Sequence, residues 1–285
     1  MKQLIPYPSD GYPEFIAAVR RMTGADARHA ISLYFGAIEA RFNLYNDLFE
    51  RSRLEILSRD RMYDDIRMQL LALYSYDNAA IRAVRKTISD SSAKAIRYTC
   101  QYCTLGSNDT MDHFVPQADF PELSIHAKNL VPSCSKCNSK KGDFWVHADG
   151  VRSIINPYLD QLPNSQFLYV DIYLDDFGEI DFTFYLNNLF GIEADNWRRI
   201  QRHFERLNLL VRMRNAAISH LSEFQTRMGN EISGGRSRAS LVTTTVETCS
   251  DLRQALGFNH WKPSLEEALV NSDIFWNLFT FPIEI

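Results

Sequence analysis

Four of the five cysteines in this 285-residue chain stand in two Cys-x-x-Cys pairs, Cys100/Cys103 and Cys134/Cys137, with 30 residues between the pairs. Each pair can form a tight knuckle that presents two thiolates, and two knuckles together satisfy the tetrahedral preference of Zn²⁺. A thioredoxin-like redox role would need one pair beside a βαβ unit, a pattern absent here. Structural zinc is the expectation, with four unrelated buried or redox cysteines as the alternative. A zinc held by four thiolates has no open position for chemistry, so catalysis must be sought elsewhere.

The candidates lie between and just after the knuckles. Met111-Asp112-His113-Phe114-Val115-Pro116-Gln117 is followed by Lys128-Asn129-Leu130-Val131-Pro132-Ser133, and the second knuckle continues as Cys137-Asn138-Ser139-Lys140-Lys141-Gly142. Phosphodiester hydrolysis needs an activated water, and positive charge where the transition state becomes anionic. A neutral imidazole, with an ordinary pKa of about 6.5, can take the water's proton near pH 7, which makes His113 the candidate base. The adjacent Asp112 offers the hard oxygen that Mg²⁺ or Mn²⁺ prefers.

In order and setting these segments resemble the HNH endonuclease family, and the resemblance covers roughly residues 97–145. The family's ββα-metal motif has an Asp-His pair on a strand, a middle Asn, and a final His or Asn on the following helix. The resemblance implies that Asn138 supplies a second oxygen to the catalytic divalent ion, and that Asn129 fixes the loop so the His113 ring points at the phosphate. Many members carry His where this chain has Asn138. Asn also stands there in the HNH domain of the RNA-guided CRISPR effector nuclease, which the DHFVPQ stretch and the later Asn-x-x-Lys resemble too. An oxygen ligand favours a Mg²⁺-like site. Lys136, Lys140 and Lys141 are the expected nucleic-acid contacts. His126 and His147 match no motif position and read as surface or loop histidines.

Other elements must hold this site. Between Gly36 and Gly106 no glycine or proline interrupts the chain. Ile31, Phe35, Ile38, Phe42, Tyr45 and Phe49 recur at helical spacing, Met62, Ile66, Leu70 and Leu73 continue the pattern, and Ile81, Val84 and Ile88 suggest another short helix. Leu168, Val170, Ile172 and Leu174, then Ile180, Phe182, Phe184 and Leu186, alternate about an Asp-Phe-Gly-Glu turn, the pattern of a β-hairpin. Trp197, Ile200, Phe204, Leu207, Val211, Ile218 and Leu221 read as one helical stripe, Gly234-Gly235 as a break, and the β-branched segment up to Cys249 as ambiguous. Leu265–Leu269 reads as helical, and an aromatic tail follows with Phe275, Trp276, Phe279 and Phe281.

The expected architecture is α+β: a helical region over 1–95, a zinc-stapled ββα-metal module over 96–150, and a hairpin with helices over 151–285. A formal net charge of −4 is unexpected for a protein that grips nucleic acid by bulk charge, so a local patch or a partner must help. Arg198, Arg199, Arg202, Arg206, Arg212 and Arg214 could contact phosphates or form a solvated helix face, whereas the acidic hairpin should repel a backbone. The run Ile155-Asn156-Pro157-Tyr158-Leu159-Asp160, with the hairpin after it, resembles HNH nuclease subunits of Septu-type antiphage-defence systems, which are encoded beside an ATPase. That resemblance implies an effector in a defence complex whose extra helices and aromatic tail dock an ATPase partner; a tail folded back onto the chain's own core is the equal alternative.

The sequence expectation is therefore a cytoplasmic, metal-dependent endonuclease that acts on nucleic acid, DNA before RNA, without a membrane partner. The competing readings are a non-cutting zinc-dependent nucleic-acid binder and an interaction subunit active only in an assembly.

Overall fold

The computed structural model describes residues 1–75 and 78–280, which divide into two compact units. One comprises Gln3–Tyr102 with Gly106–Gln161. The other comprises Met1–Lys2, Cys103–Leu105 and the chain from Leu162 to the end of the described residues. The architecture is α+β, with two separate antiparallel strand pairs among helices.

The first unit begins with helices α1 (Tyr12–Arg21), α2 (Ala25–Ser32) and α3 (Phe35–Glu50). The stripe from Ile31 to Phe49 is therefore carried by two helices. Ser32 ends α2, its hydroxyl donating to the His29 carbonyl at 2.7 Å in competition with the backbone ladder. Ile38, Phe42, Tyr45 and Phe49 are buried on α3. Arg41 shares that face and is held by Glu122 at 3.0 Å and by the Ser58 carbonyl at 2.8 Å.

A 3-10 segment, Arg61–Ile66, leads into α4 (Arg67–Leu73). Its tighter winding puts Met62 outside at 44% exposure, while Ile66, Leu70 and Leu73 face inward. Helices α5 (Ala79–Ser91) and α6 (Lys94–Arg97) follow, and α5 buries Ile81, Val84 and Ile88 as its spacing predicts.

Strands β1 (Thr110–His113) and β2 (Leu130–Ser133) pair antiparallel, with Asp112 opposite Val131 and His113 opposite Leu130. Helix α7 (Ser135–Lys141) comes directly after β2, completing a ββα unit. Downstream, Arg152 makes a bidentate pair with Asp160, at 2.8 and 3.2 Å, and reaches Glu55 at 3.3 Å. This buried cluster fixes the residue 152–160 segment after the ββα unit.

In the second unit, β3 (Leu168–Leu174) and β4 (Ile180–Leu186) form the expected hairpin. Burial is strongest at Leu168, Phe182 and Phe184 and fades toward the tip, where Phe177 is 89% exposed. The stripe drawn from Trp197 to Leu221 is two helices, α8 (Ala194–Arg206) and α9 (Leu209–Ser233), because Asn208 adopts a left-handed conformation at φ 50°. The break rotates the buried face, so Leu209 and Met213 turn inward while Val211 and Ile218 are about half exposed.

The β-branched segment resolves as helix α10 (Arg238–Leu256). Its Thr244 and Thr248 hydroxyls bond back to carbonyls one turn earlier, which satisfies them within the helix. Helices α11 (Trp261–Val270) and α12 (Asp273–Trp276) follow. Two of the tail's aromatic residues pack within the second unit itself. Phe275 is fully buried against Phe224 at 5.6 Å, and the Trp276 indole donates to the Val270 carbonyl at 2.7 Å. Phe279 is half-buried beside Gly229, and Phe281 lies outside the described residues.

Candidate active site

All four paired cysteines are buried, and their sulfur atoms lie within 4.8 Å of one another. The knuckle geometry is local. The Cys137 N–H points at the Cys134 sulfur at 3.4 Å, and the Leu105 N–H at the Cys103 sulfur at 3.5 Å. Such N–H···S contacts stabilise thiolates rather than thiols. Gly106 passes so close that a Cβ there would sit 3.4 Å from the Cys134 Cβ. Four converging sulfurs with amide donors aimed at them fit a structural zinc ion.

His113, at the end of β1, is 9% exposed. Its Nε2 lies 2.6 Å from the Ser124 carbonyl oxygen. A carbonyl can only accept, so Nε2 carries the proton and the Nδ1 lone pair remains basic. Burial lowers the His113 pKa below the ordinary histidine value, opposed in part by the Ser124 carbonyl and by Asp112. The ring therefore stays neutral at pH 7, as a base must. Two contacts come from the helical region. The Tyr74 ring meets the imidazole edge-on at 4.5 Å, and the Ser124 hydroxyl donates to the Leu70 carbonyl of α4 at 3.0 Å.

Asn129 is fully buried, just before β2. Its Oδ1 accepts from the Val115 N–H at 2.8 Å and its Nδ2 donates to the Val115 carbonyl at 3.0 Å. Nδ2 also reaches the Leu123 carbonyl at 3.3 Å. One side chain thus ties together both ends of the loop that carries Ser124.

Asp112 is 2% exposed. The Tyr102 hydroxyl donates to its Oδ2 at 2.9 Å, and the Lys141 ammonium lies 3.1 Å from its carboxylate. Burial and the neighbouring carboxylate push the Tyr102 pKa well above its ordinary value, so that hydroxyl stays protonated and donating. Asn138, on α7, donates from Nδ2 to the Thr110 hydroxyl and the Met111 carbonyl, both at 3.4 Å. These contacts set its amide against β1 and leave Oδ1 as its atom able to accept. Both Asp112 oxygens accept hydrogen bonds, Oδ2 from Tyr102 and Oδ1 from Lys141.

The three lysines expected to touch nucleic acid part company. Lys136 is exposed and Lys140 half-exposed. Lys141 is fully buried, its ammonium directed at Asp112, the His113 carbonyl at 2.7 Å and the Gly142 carbonyl. Helical spacing explains the difference, because Lys141 and Asn138 sit three residues apart on the face turned to β1.

The two histidines read as peripheral also differ. His147 is exposed beside Asp149. His126 is fully buried between the Phe42 and Tyr45 rings, at 4.5 and 4.2 Å. Among the arginines of the second unit, Arg212 is buried and donates to the Leu207 carbonyl, while Arg198 and Arg214 pair with Asp195 and Asp181.

Residues 100–144 match the sequence model of the family described as HNH endonuclease. This segment is an HNH endonuclease domain. Over 191 residues the chain is 30% identical to Protein ea31 of Escherichia phage lambda, a match covering 62% of this chain and 63% of that protein. Over 70 residues it is 36% identical to the Septu protein PtuB of Bacillus thuringiensis, covering 23% of this chain and 26% of that protein. The chain therefore spans less than two thirds of either relative. No solved structure matches it at a significant level. The HNH domain accounts for the cysteine cluster and the ββα unit, and the helical contacts to His113 lie outside its matched residues.

Proposed function

We propose that this chain is a metal-dependent endonuclease that hydrolyses phosphodiester bonds, with DNA as the first substrate to test. The observation that carries the reading is the 2.6 Å contact between His113 Nε2 and the Ser124 carbonyl. It orients a neutral imidazole with Nδ1 available to take a proton from water. Asn129 acts at one remove, holding the loop that bears that carbonyl. Asp112 and Asn138 would hold Mg²⁺ or Mn²⁺, which supplies positive charge to the phosphoryl oxygens and the leaving group. Lys141 holds the Asp112 carboxylate in place, and Lys136 and Lys140 face the substrate backbone. Four thiolates, from Cys100, Cys103, Cys134 and Cys137, would hold the structural zinc.

A defence role is a second tier of the proposal. It is supported by the 70-residue similarity to a Septu protein and by the Ile155–Asp160 run. The longer similarity is to a phage protein, so the defence reading rests on the shorter match. In that role the chain would cut as the effector of a complex with a partner such as an ATPase subunit. No described helix is long and apolar enough to cross a membrane, and the proposed setting is the cytoplasm.

The test incubates the purified full chain with plasmid, single-stranded DNA and RNA, in Mg²⁺, Mn²⁺ or EDTA, beside the His113→Ala protein. Cleavage that requires the divalent ion and disappears in His113→Ala is the expected result. Cleavage that persists undiminished in His113→Ala removes the assignment of the base. No cleavage under any condition, with or without a copurified partner, favours the non-cutting binder.

A further inference from the structure

One run of positive charge in the first unit lies outside the matched HNH residues. From residue 78 to 98 the sequence carries Arg82, Arg85, Lys86, Lys94 and Arg97 against one carboxylate, Asp90, although the whole chain has a formal net charge of −4. On α5, Ile81, Val84 and Ile88 face the core, while Arg82 and Lys86 are exposed and Arg85 is half-buried. Asp90 sits between Lys86 and Arg97, pairing with both. Arg97 also donates to the Asp90 and Ser92 carbonyls, which fixes its head on the outer side of the α5–α6 turn. Tyr98, next in sequence, is 65% exposed.

This basic segment is tied to the active-site helix through short steps. The Asn108 amide donates to the Arg97 carbonyl at 2.7 Å, and its N–H to the Tyr98 carbonyl at 3.0 Å. The next residue, Asp109, accepts from the Ser135 N–H at 2.7 Å and from its hydroxyl at 3.2 Å, at the start of α7. The one acid on the path is therefore engaged with α7, and exposed Lys136 comes directly after Ser135. With 3.8 Å between consecutive Cα atoms and hydrogen-bonded steps of similar size, Arg97 and Lys136 are at most on the order of 20 Å apart. Duplex DNA presents one charge per ~1.7 Å of axis, so such a span faces on the order of ten phosphates.

We propose that α5, α6 and the start of α7 form one phosphate-binding ridge that holds the nucleic-acid backbone beside the HNH site. The proposal rests on the nuclease reading for its ligand class. Scattered surface charges normally form a solvated face with both signs mixed. Here the signs are five to one, and a hydrogen-bonded path through Asn108 and Asp109 leads to the start of the helix that carries Asn138. Tyr98 adds an exposed ring on which a base or sugar can pack. Arg198, Arg212 and Arg214 of α8 and α9 engage Asp195, Leu207 and Asp181, just as Lys86 and Arg97 engage Asp90, so charge alone does not choose between the two runs. The hydrogen-bonded path to α7 is what favours α5 and α6.

The experiment compares two full-length variants of equal charge change, each in the His113→Ala background so that no substrate is consumed. One is Arg82→Ala/Lys86→Ala/Lys94→Ala; the other, on α8, is Arg198→Ala/Arg199→Ala/Arg202→Ala. Fluorescence anisotropy over a salt series measures binding to a short DNA duplex and to an RNA strand of the same sequence. Zinc content and thermal midpoint check the fold. The ridge variant is expected to bind at least about tenfold more weakly at low salt. Its log–log salt slope should fall by roughly 0.9 per lost contact on duplex and about 0.7 on single strand. The α8 variant should keep the parental slope.

Equal losses in both variants, an unchanged slope in a folded ridge variant, or no nucleic-acid binding by the parent protein would overturn the ridge. The nuclease reading fails separately. A protein that binds through the ridge and cuts nothing keeps the ridge and loses the nuclease. One that cuts while the ridge variant binds normally does the reverse.

Discussion

The proton on His113 Nε2 is held by the Ser124 carbonyl 2.6 Å away, and Ser124 is in turn anchored through its hydroxyl to Leu70 of α4. The imidazole proposed as the base is therefore oriented by a helix more than 40 residues upstream of it. Ser124→Ala removes the anchor and leaves a buried acceptor short of a partner, at a cost of about 1–3 kcal/mol. If part of that appears as misplacement of the ring, kcat should fall about tenfold with KM nearly unchanged, since 1.4 kcal/mol is a factor of ten. Ser124→Thr should recover most of the loss. Steady-state cleavage kinetics check this, and an Ala variant at full kcat would separate α4 from the site.

Lys141 and Lys136 lie five residues apart and should behave as opposites. Lys141→Met strips the buried Asp112 carboxylate of its ammonium, and breaking a buried pair from one side costs about 3–5 kcal/mol. Lys136 is exposed, so Lys136→Ala should change stability by no more than about 0.5 kcal/mol while weakening nucleic-acid binding. Urea unfolding of the two variants makes the comparison. A Lys141→Met protein as stable as its parent would show that Asp112 does not depend on that ammonium.

The motif residues were legible because their chemistry is local. Two cysteines two residues apart make a knuckle, and an Asp-His pair on a strand next to it can be read without tertiary structure. The depth of Lys141 was not legible, because a lysine beside two others reads as surface until the phase of α7 relative to β1 is known. His126 escaped for a similar reason, its burial depending on rings from α3 that approach across the fold. The hairpin followed from its period of two, whereas the α8–α9 break turned on one left-handed residue, Asn208, that leaves no mark in the apolar pattern. The tail at Phe275 and Trp276 has the composition of an interface and of a core alike, and only packing on α9 and α11 distinguishes them.

His126 gives the first unit an acid-sensitive point. Burial, with Lys128 contributing, lowers its pKa to about 3, opposed in part by backbone carbonyls including that of Phe42. The native state thus holds it neutral while the unfolded chain titrates near the usual 6.5. Below pH 6.5 the unfolded state binds the extra proton, so stability falls as pH drops, until protonation of the folded state near pH 3 ends the trend. Each unit in that window corresponds to about 1.4 kcal/mol at most. His126→Phe keeps a ring between Phe42 and Tyr45 and removes the titration. Its stability, followed by urea unfolding from pH 7 to pH 4, should decline less steeply than that of the parent. Identical slopes would place the acid sensitivity elsewhere.

The cysteine cluster should bind one zinc per chain, measurable by elemental analysis of the folded protein. Cys137→Ser removes a ligand and the sulfur whose neighbours define the second knuckle, and metal binding is coupled to folding in such sites. Loss of zinc together with lower protection of β1, β2 and α7 in hydrogen exchange is expected. A zinc-free parent protein with native protection in those elements would remove the staple.

The aromatic tail supplies the last test, because Phe275 and Trp276 pack as core residues do. Phe275 is fully buried, touching Phe224 on α9 and stacked edge-on with Trp276 and Phe279 at 5.3 Å each. Replacing a buried phenylalanine by alanine loses its transfer free energy and leaves a cavity, together costing about 3–5 kcal/mol. Phe275→Ala should therefore lower the unfolding free energy of the second unit by that amount, read as a lower urea midpoint. Exposed Phe177 at the hairpin tip provides the contrast, and Phe177→Ala should change stability by only a few tenths of a kcal/mol. Urea titrations followed by tryptophan fluorescence distinguish the two, since Trp276 reports on the same cluster. A Phe275→Ala protein with an unchanged midpoint would show that the tail is not part of the core, and would reopen it as a surface for a partner.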